Sequence, residues 1–140
     1  MSAKPLRYIV IDDDPHNNLS CTIAIKAAIG TASVHCFTVP EEGLDYIENE
    51  YTRTKIAIPT ILFLDINMPS MTGWEVLERF KEFAVPVKEQ ITIYILSSSV
   101  SPIDMELAHA SPFVADYIIK PLTKPKMLGI LEKRQSRKIA

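Results

Sequence analysis

The chain has 140 residues, 47% of them hydrophobic, and a mean hydropathy of +0.10; this is the size and apolarity of one compact domain that buries about two thirds of its unfolded surface, which excludes intrinsic disorder. A formal charge of −2, from 15 basic and 17 acidic side chains, leaves no basic surplus to displace counterions from a phosphate backbone, so no nucleic-acid partner is expected. The longest apolar run falls far short of the roughly 18 residues that span a bilayer, so no membrane partner is expected either.

Apolar runs of strand length alternate along the chain with stretches of helical period. Residues 6–11 (LRYIVI) predict a strand. Asp14 and Pro15 then open a helix, Asp14 as its cap and Pro15 at the first helical position, with Leu19, Ile23 and Ala27 at four-residue spacing and Gly30 near its end. A second strand over 33–37 (SVHCF) precedes a helix over 40–51, with Leu44 and Ile47 on one side and glutamates on the other. Residues 60–64 (TILFL) form a continuous apolar run that stops at Asp65. A loop with Pro69 and Gly73 leads to a third helix carrying Trp74, Leu77 and residues 80–83, and 84–90 is expected to be an ordinary surface loop. The fourth strand, 91–96 (ITIYIL), ends in three serines. Ser101 and Pro102 suit the start of a fourth helix, Ser101 as cap, with Ile103, Met105, Leu107 and Ala108 along it. A short fifth strand over 116–119 is followed by Lys120-Pro121 and a final helix over 123–133.

Strands apolar on both faces and separated by helices predict a parallel sheet covered on each side, a (βα)5 architecture, because parallel strands need crossover connections. With no linker, low-complexity tract or internal repeat, the expected organisation is one domain over 1–134, a short tail over 135–140 and no output domain. Cys21 and Cys36 lie in apolar stretches with no export signal after Met1, so free thiols and a cytoplasmic location are expected.

Carboxylates stand where buried strands run out: Asp12 and Asp13 follow Ile11, and Asp65 follows Leu64. Ligands of open parallel sheets bind beyond the carboxyl ends of the strands, where the strand order reverses. If the first and third strands are neighbours, the three carboxylates converge and repel, and a positive group belongs among them. An all-oxygen donor set suits a hard divalent cation, Mg2+ in particular, and Lys120 at the end of the fifth strand is the second candidate. Ser97 brings a hydroxyl to the same edge, with Ser98 as the alternative in the serine run. Carboxylates, a lysine, a hydroxyl and Mg2+ make a phosphoryl-transfer site, in which an aspartate can be the nucleophile.

These residues carry a resemblance. Ile11 to Pro15 (IDDDP), Leu64 to Gly73 (LDINMPSMTG), Leu96 to Ser98 (LSS) and Tyr117 to Pro121 (YIIKP), in this order, are similar to the four signatures of the receiver domain of two-component response regulators, over about residues 6–133. The resemblance implies a flavodoxin-like fold with strand order 2-1-3-4-5 and phosphorylation of Asp65 by a histidine kinase or a histidine phosphotransfer protein. It implies Mg2+ held by Asp13 and Asp65 through side chains, by Asn67 through its backbone carbonyl and by Asp12 mainly through water. Lys120 is implied to pair with the phosphoryl oxygens, and Ser97 and Tyr117 to move as a switch that reports to a downstream protein on the face of the fourth helix, fifth strand and fifth helix. Self-phosphorylation and self-dephosphorylation are the only catalysis expected, and the Lys120-Pro121 peptide is expected to be cis. Two departures from the family pattern stand out: serine in place of threonine at 97, and one extra residue with no glycine in the connection over 111–116. A phosphohydrolase of the haloacid dehalogenase type would need an aspartate where Asn67 stands. His16 suits a helix start better than a metal ligand, and the basic residues Lys133, Arg134, Arg137 and Lys138 suit a helix C-terminus.

Overall fold

The three runs with the longest unbroken apolar sequence form the interior of the sheet, and the two interrupted by polar residues form its edges. In the computed structural model, which describes residues 7–54 and 56–139, five parallel strands take the order β2-β1-β3-β4-β5. They are β1 (Arg7–Ile11), β2 (Ser33–Phe37), β3 (Thr60–Leu64), β4 (Ile91–Ser97) and β5 (Val114–Ile119). The helices are α1 (Pro15–Ala28), α2 (Pro40–Arg53), α3 (Gly73–Lys81), α4 (Val85–Lys88), α5 (Pro102–Ala110) and α6 (Lys124–Ile139). Every residue of β3, the central strand, is buried, as a strand covered on both faces requires.

Strand alternation divides the core into two layers. Ile9, Ile11, Leu62, Leu64, Ile93 and Ile95 face Leu44 and Ile47 of α2, Val76, Leu77 and Phe80 of α3 and Ala108 of α5. Tyr8, Val10, Ile61, Phe63, Tyr94 and Leu96 face Cys21, Ala24 and Ile25 of α1 and Met127 and Ile130 of α6. Cys21 is buried, and Cys36 on the edge strand is exposed; both are free thiols. Burial pushes the Cys21 thiol up to about 12.

Side-chain caps open α1 and α3. Asp14 accepts from the His16 N–H at 2.9 Å and Pro15 opens α1, as its sequence predicts. Thr72 and Glu75 form a reciprocal capping box at α3, with Glu75 N–H to Thr72 Oγ1 at 3.2 Å and Thr72 N–H to Glu75 Oε1 at 3.0 Å. Ser101 occupies the cap of α5, but its hydroxyl makes no capping bond, contrary to expectation.

Several boundaries differ from the sequence expectation. Residues 84–90 hold the short helix α4, where Pro86 sits within the first turn and buried Val87 anchors it to the core. β5 begins at Val114, not at 116, and the register against β4 shifts between Ile93 and Tyr94, so Ala115 has no partner on β4 and forms a bulge. β4 extends to Ser97. α6 runs to Ile139, past the 134/135 boundary placed for the tail. Leu6, Ala140 and the side chains of Arg137 and Lys138 lie outside the described residues. Lys133 lies 3.8 Å from Asp116, and Arg134 donates to Thr92 at 3.1 Å, so both are engaged within the domain. The Lys120-Pro121 peptide is cis, as expected.

Candidate functional site

The main chain places the acidic residues. Leu64 and Ile11 are register partners on β3 and β1, and the next residue of each chain, Asp65 and Asp12, leaves the sheet at the same edge. The Asp65 N–H donates to the Ile11 carbonyl at 3.0 Å, and the Asp12 N–H to the Phe37 carbonyl at 3.1 Å, so each aspartate closes the ladder beside it. Asp12, Asp13 and Asp65 bring one carboxylate oxygen each to within 4.8 Å of one another. Asp12 and Asp65 are buried, at 2% and 6% exposure, while Asp13 is more open to solvent.

Lys120 enters from the end of β5. Its Nζ lies 2.8 Å from Asp12 Oδ2 and 3.5 Å from Asp65 Oδ1. Burial by itself would make this ammonium easier to deprotonate, but the bond to Asp12 and the charges of Asp12 and Asp65 outweigh it, so the pKa is raised and the group stays charged. Burial pushes the Asp65 carboxyl above the ordinary aspartate range, and the Asp12 charge adds to this; Lys120 and the Asn67 N–H pull the other way. One cation therefore serves two buried carboxylates and leaves the group short of positive charge. An all-carboxylate set with that shortfall fits a hard divalent cation, and the cluster has the composition to hold a metal.

Ser97 is fully buried at the end of β4, with its carbonyl bonded to the Lys120 N–H at 2.9 Å. Its hydroxyl accepts from the Ser99 N–H at 3.0 Å. Ser98 is exposed and off the strand, so the structure places Ser97, the first choice, at the interior edge. Tyr117 is half-buried on β5, and its hydroxyl donates to the Ser99 carbonyl at 2.8 Å. Asn67 is exposed two residues beyond Asp65, with its backbone amide against the Asp65 carboxylate. His16 is exposed and outside the acidic cluster. Gly73 allows the loop to fold back: a Cβ there would stand 2.5 Å from the Asp65 carbonyl and 2.8 Å from Ile66 Cα.

One participant went unnoticed at the sequence level. Buried Asn18 donates from Nδ2 to the Asp12 carbonyl at 3.0 Å, a role with no signal in an Asn-Asn pair on the first turns of a helix. Ser99, whose place two residues beyond Ser97 implies by the family resemblance a part in tuning the lifetime of the phosphoryl group, donates its N–H to the Ser97 hydroxyl, accepts from Tyr117 at its carbonyl and donates its own hydroxyl to Asp104 at 2.7 Å. Only the folded β4–α5 loop brings these groups together.

The model of the response regulator receiver domain family matches residues 8–132. The chain belongs to this family. Among solved structures, this receiver domain is similar to a two component response regulator from Cytophaga hutchinsonii, with 30% identity, 96% of this chain and 99% of that chain covered, and a TM-score of 0.83. Among curated proteins it is 28% identical over 133 residues to the two-component response regulator ORR41 of Oryza sativa subsp. japonica, covering 95% of this chain and 97% of the relative. It is 26% identical over 128 residues to the chemotaxis protein CheY of Listeria monocytogenes, covering 91% and 97%. This receiver domain is a two-component phosphoacceptor signalling protein. No helix among the described residues is long and apolar enough to cross a membrane.

Proposed function

We propose that Asp65 is the phosphoacceptor, that Asp12, Asp13, Asp65 and the Asn67 carbonyl hold Mg2+, and that Lys120, Ser97 and Tyr117 read the phosphorylated state. The observation that carries this reading is the single ammonium of Lys120 set between Asp12 and Asp65. In the transfer, an Asp65 oxygen forms a bond to phosphorus as the bond from phosphorus to the donor breaks, and the donor's leaving group departs with the electron pair. When bound, Mg2+ supplies charge neutralisation for the phosphoryl oxygens. Lys120 reaches the same oxygens while still bonded to Asp12, and the Ser97 hydroxyl is freed to bond them by giving up the Ser99 N–H.

The donor is a histidine kinase or a histidine phosphotransfer protein, and the protein works in the cytoplasm with no catalysis beyond its own phosphorylation and dephosphorylation. The output passes to a downstream protein on the face of α5, β5 and α6, where Tyr117 lies beside α5. Residues 1–134 act as the receiver unit. With Mg2+ and acetyl phosphate, the intact mass of the wild-type protein rises by one phosphoryl unit and that of Asp65→Asn does not; an equal rise in the variant moves the nucleophile elsewhere.

A further inference from the structure

The residues between β1 and α1 are Asp12, Asp13 and Asp14, and they include two of the three clustered carboxylates. Two of the bonds that shape this turn involve Asp12 and main-chain N–H groups: the Asp12 N–H donates to the Phe37 carbonyl at 3.1 Å, and the Asp14 N–H donates to Asp12 Oδ1 at 2.9 Å. The Asp12 carbonyl belongs to the peptide that joins Asp12 to Asp13. It takes its bond from a side chain outside the turn, Asn18 Nδ2, at 3.0 Å. Any drift of this peptide changes ψ of Asp12 and φ of Asp13, and with them the angle between the two side chains.

Asn18 is itself held firmly. Its N–H donates to the Asp14 carbonyl at 3.2 Å, and its carbonyl accepts from Thr22 Oγ1 at 2.9 Å and from the Cys36 thiol at 3.8 Å. The side chain is thus an arm fixed to α1 and β2 that reaches back to the turn. Only its Nδ2 can serve a carbonyl, so the orientation of the amide is set by Asp12. The other end of the amide is left over: Asn18 is 5% exposed, and its Oδ1 finds no partner among the described residues. A buried acceptor without a partner is destabilising, and the other buried residues of α1, Cys21, Ala24 and Ile25, are apolar. An apolar side chain at 18 would avoid that penalty and would leave the Asp12 carbonyl without its bond.

We propose that Asn18 is a positioning residue for the Mg2+ site: it fixes the peptide between Asp12 and Asp13 so that their carboxylates stand converged with that of Asp65 before the cation arrives. The proposal rests on the metal role given above to these three carboxylates. Asn18 acts through Asp12 and Asp13 and touches neither the ion nor the phosphoryl group. Partners that orient metal ligands in this way typically account for about 10–100-fold in metal affinity.

The test uses the full chain, with Mg2+ titration followed by Trp74 fluorescence and melting temperature, and with urea midpoints measured separately in chelator. Asn18→Ala and Asn18→Leu each raise the half-saturating Mg2+ concentration by on the order of tenfold, and Asn18→Gln, which keeps an amide donor, raises it less. Ala24→Gly loosens the same helix without touching the turn; it lowers the urea midpoint and leaves Mg2+ half-saturation at the wild-type value. Should Asn18→Ala fail to fold, Asn18→Leu fills the volume and carries the test. Asn18 variants that lose stability in chelator but bind Mg2+ as the wild type does mark a merely structural bond and overturn the proposal. So does a loss of Mg2+ affinity in Ala24→Gly as large as that in Asn18→Leu, and so does an Asn18→Gln variant as weak as Asn18→Leu. A wild-type protein that does not respond to Mg2+ overturns the metal assignment itself, and the role of Asn18 with it.

Discussion

Lys120 is paired first with Asp12: its ammonium lies 2.8 Å from Asp12 Oδ2 and 3.5 Å from Asp65 Oδ1. The cation is thus anchored on one carboxylate and leans toward the other, the arrangement needed if new negative charge is to be added at Asp65.

Removing that cation leaves two buried carboxylates facing each other. In the absence of metal, Lys120→Ala is expected to cost roughly 2–4 kcal/mol of stability, somewhat less than a fully buried broken pair because solvent reaches the lysine. Urea denaturation in a chelator checks this. Acetyl phosphate still labels the variant, more slowly, but exchange over 102–110 no longer responds to the label.

Asp65 gives the protein a pH dependence with a defined sign. Its folded pKa is raised, by burial and then by Asp12, so the folded chain holds this proton more tightly than the unfolded chain, whose aspartate titrates near about 3.9. The stabilisation from that proton is fully present below the unfolded value and is lost as pH rises through the raised one. In chelator, Asp65→Asn should therefore be more stable than the wild type at pH 7, by about 1 kcal/mol or roughly 4 °C in Tm, and the difference should shrink toward pH 4. Urea midpoints of both proteins across that range measure it, and a difference that grows on acidification contradicts the raised pKa.

Mg2+ should relieve the same repulsion. Saturating the site at about 100 times the Kd adds about 2.7 kcal/mol by linkage, so the melting temperature rises on titration with Mg2+ and falls on chelation. Asp13→Ala should weaken this response far more than Asp14→Ala, because the Asp14 carboxylate is occupied in capping α1. Equal losses in the two variants contradict the ligand set.

Gly73→Ala tests the loop behind Asp65. A methyl group would press on the Asp65 carbonyl and on Ile66 Cα, which are backbone atoms of the site and not the far end of a flexible side chain. Overpacking of this kind costs roughly 1–3 kcal/mol. Labelling by acetyl phosphate should slow along with the loss of stability, whereas Gly129→Ala, whose Cβ meets nothing within 4 Å, should leave labelling unchanged.

The sequence carried the sheet because β1, β3 and β4 are apolar at nearly every position, and that composition is tolerated only where both faces are covered. It carried the acidic cluster because Asp12, Asp13 and Asp65 follow those runs without a gap. What it hid depends on distant contacts. The four residues of α4 form around Pro86 only because Val87 finds the core. The bulge at Ala115 lets an edge strand with polar Asp116 begin two residues early. The place of Ser99 two residues beyond Ser97 marks it in the sequence, but its bond to Tyr117, eighteen positions away, does not show there.

The N–H groups of Asp12 and Asp65 complete the ladders to Phe37 and Ile11, and this separates scaffold from reactivity. The path of the chain at both positions is fixed by peptide groups that any residue except proline possesses, so the side chains there are free to change without unravelling the strands. The ladder bonds at the acidic positions do not depend on the carboxylates. A copy of this fold that lost its carboxylates together with Lys120, their ion-pair partner, would keep these ladders, which makes the architecture a ready starting point for descendants that bind partners without any phosphoryl chemistry.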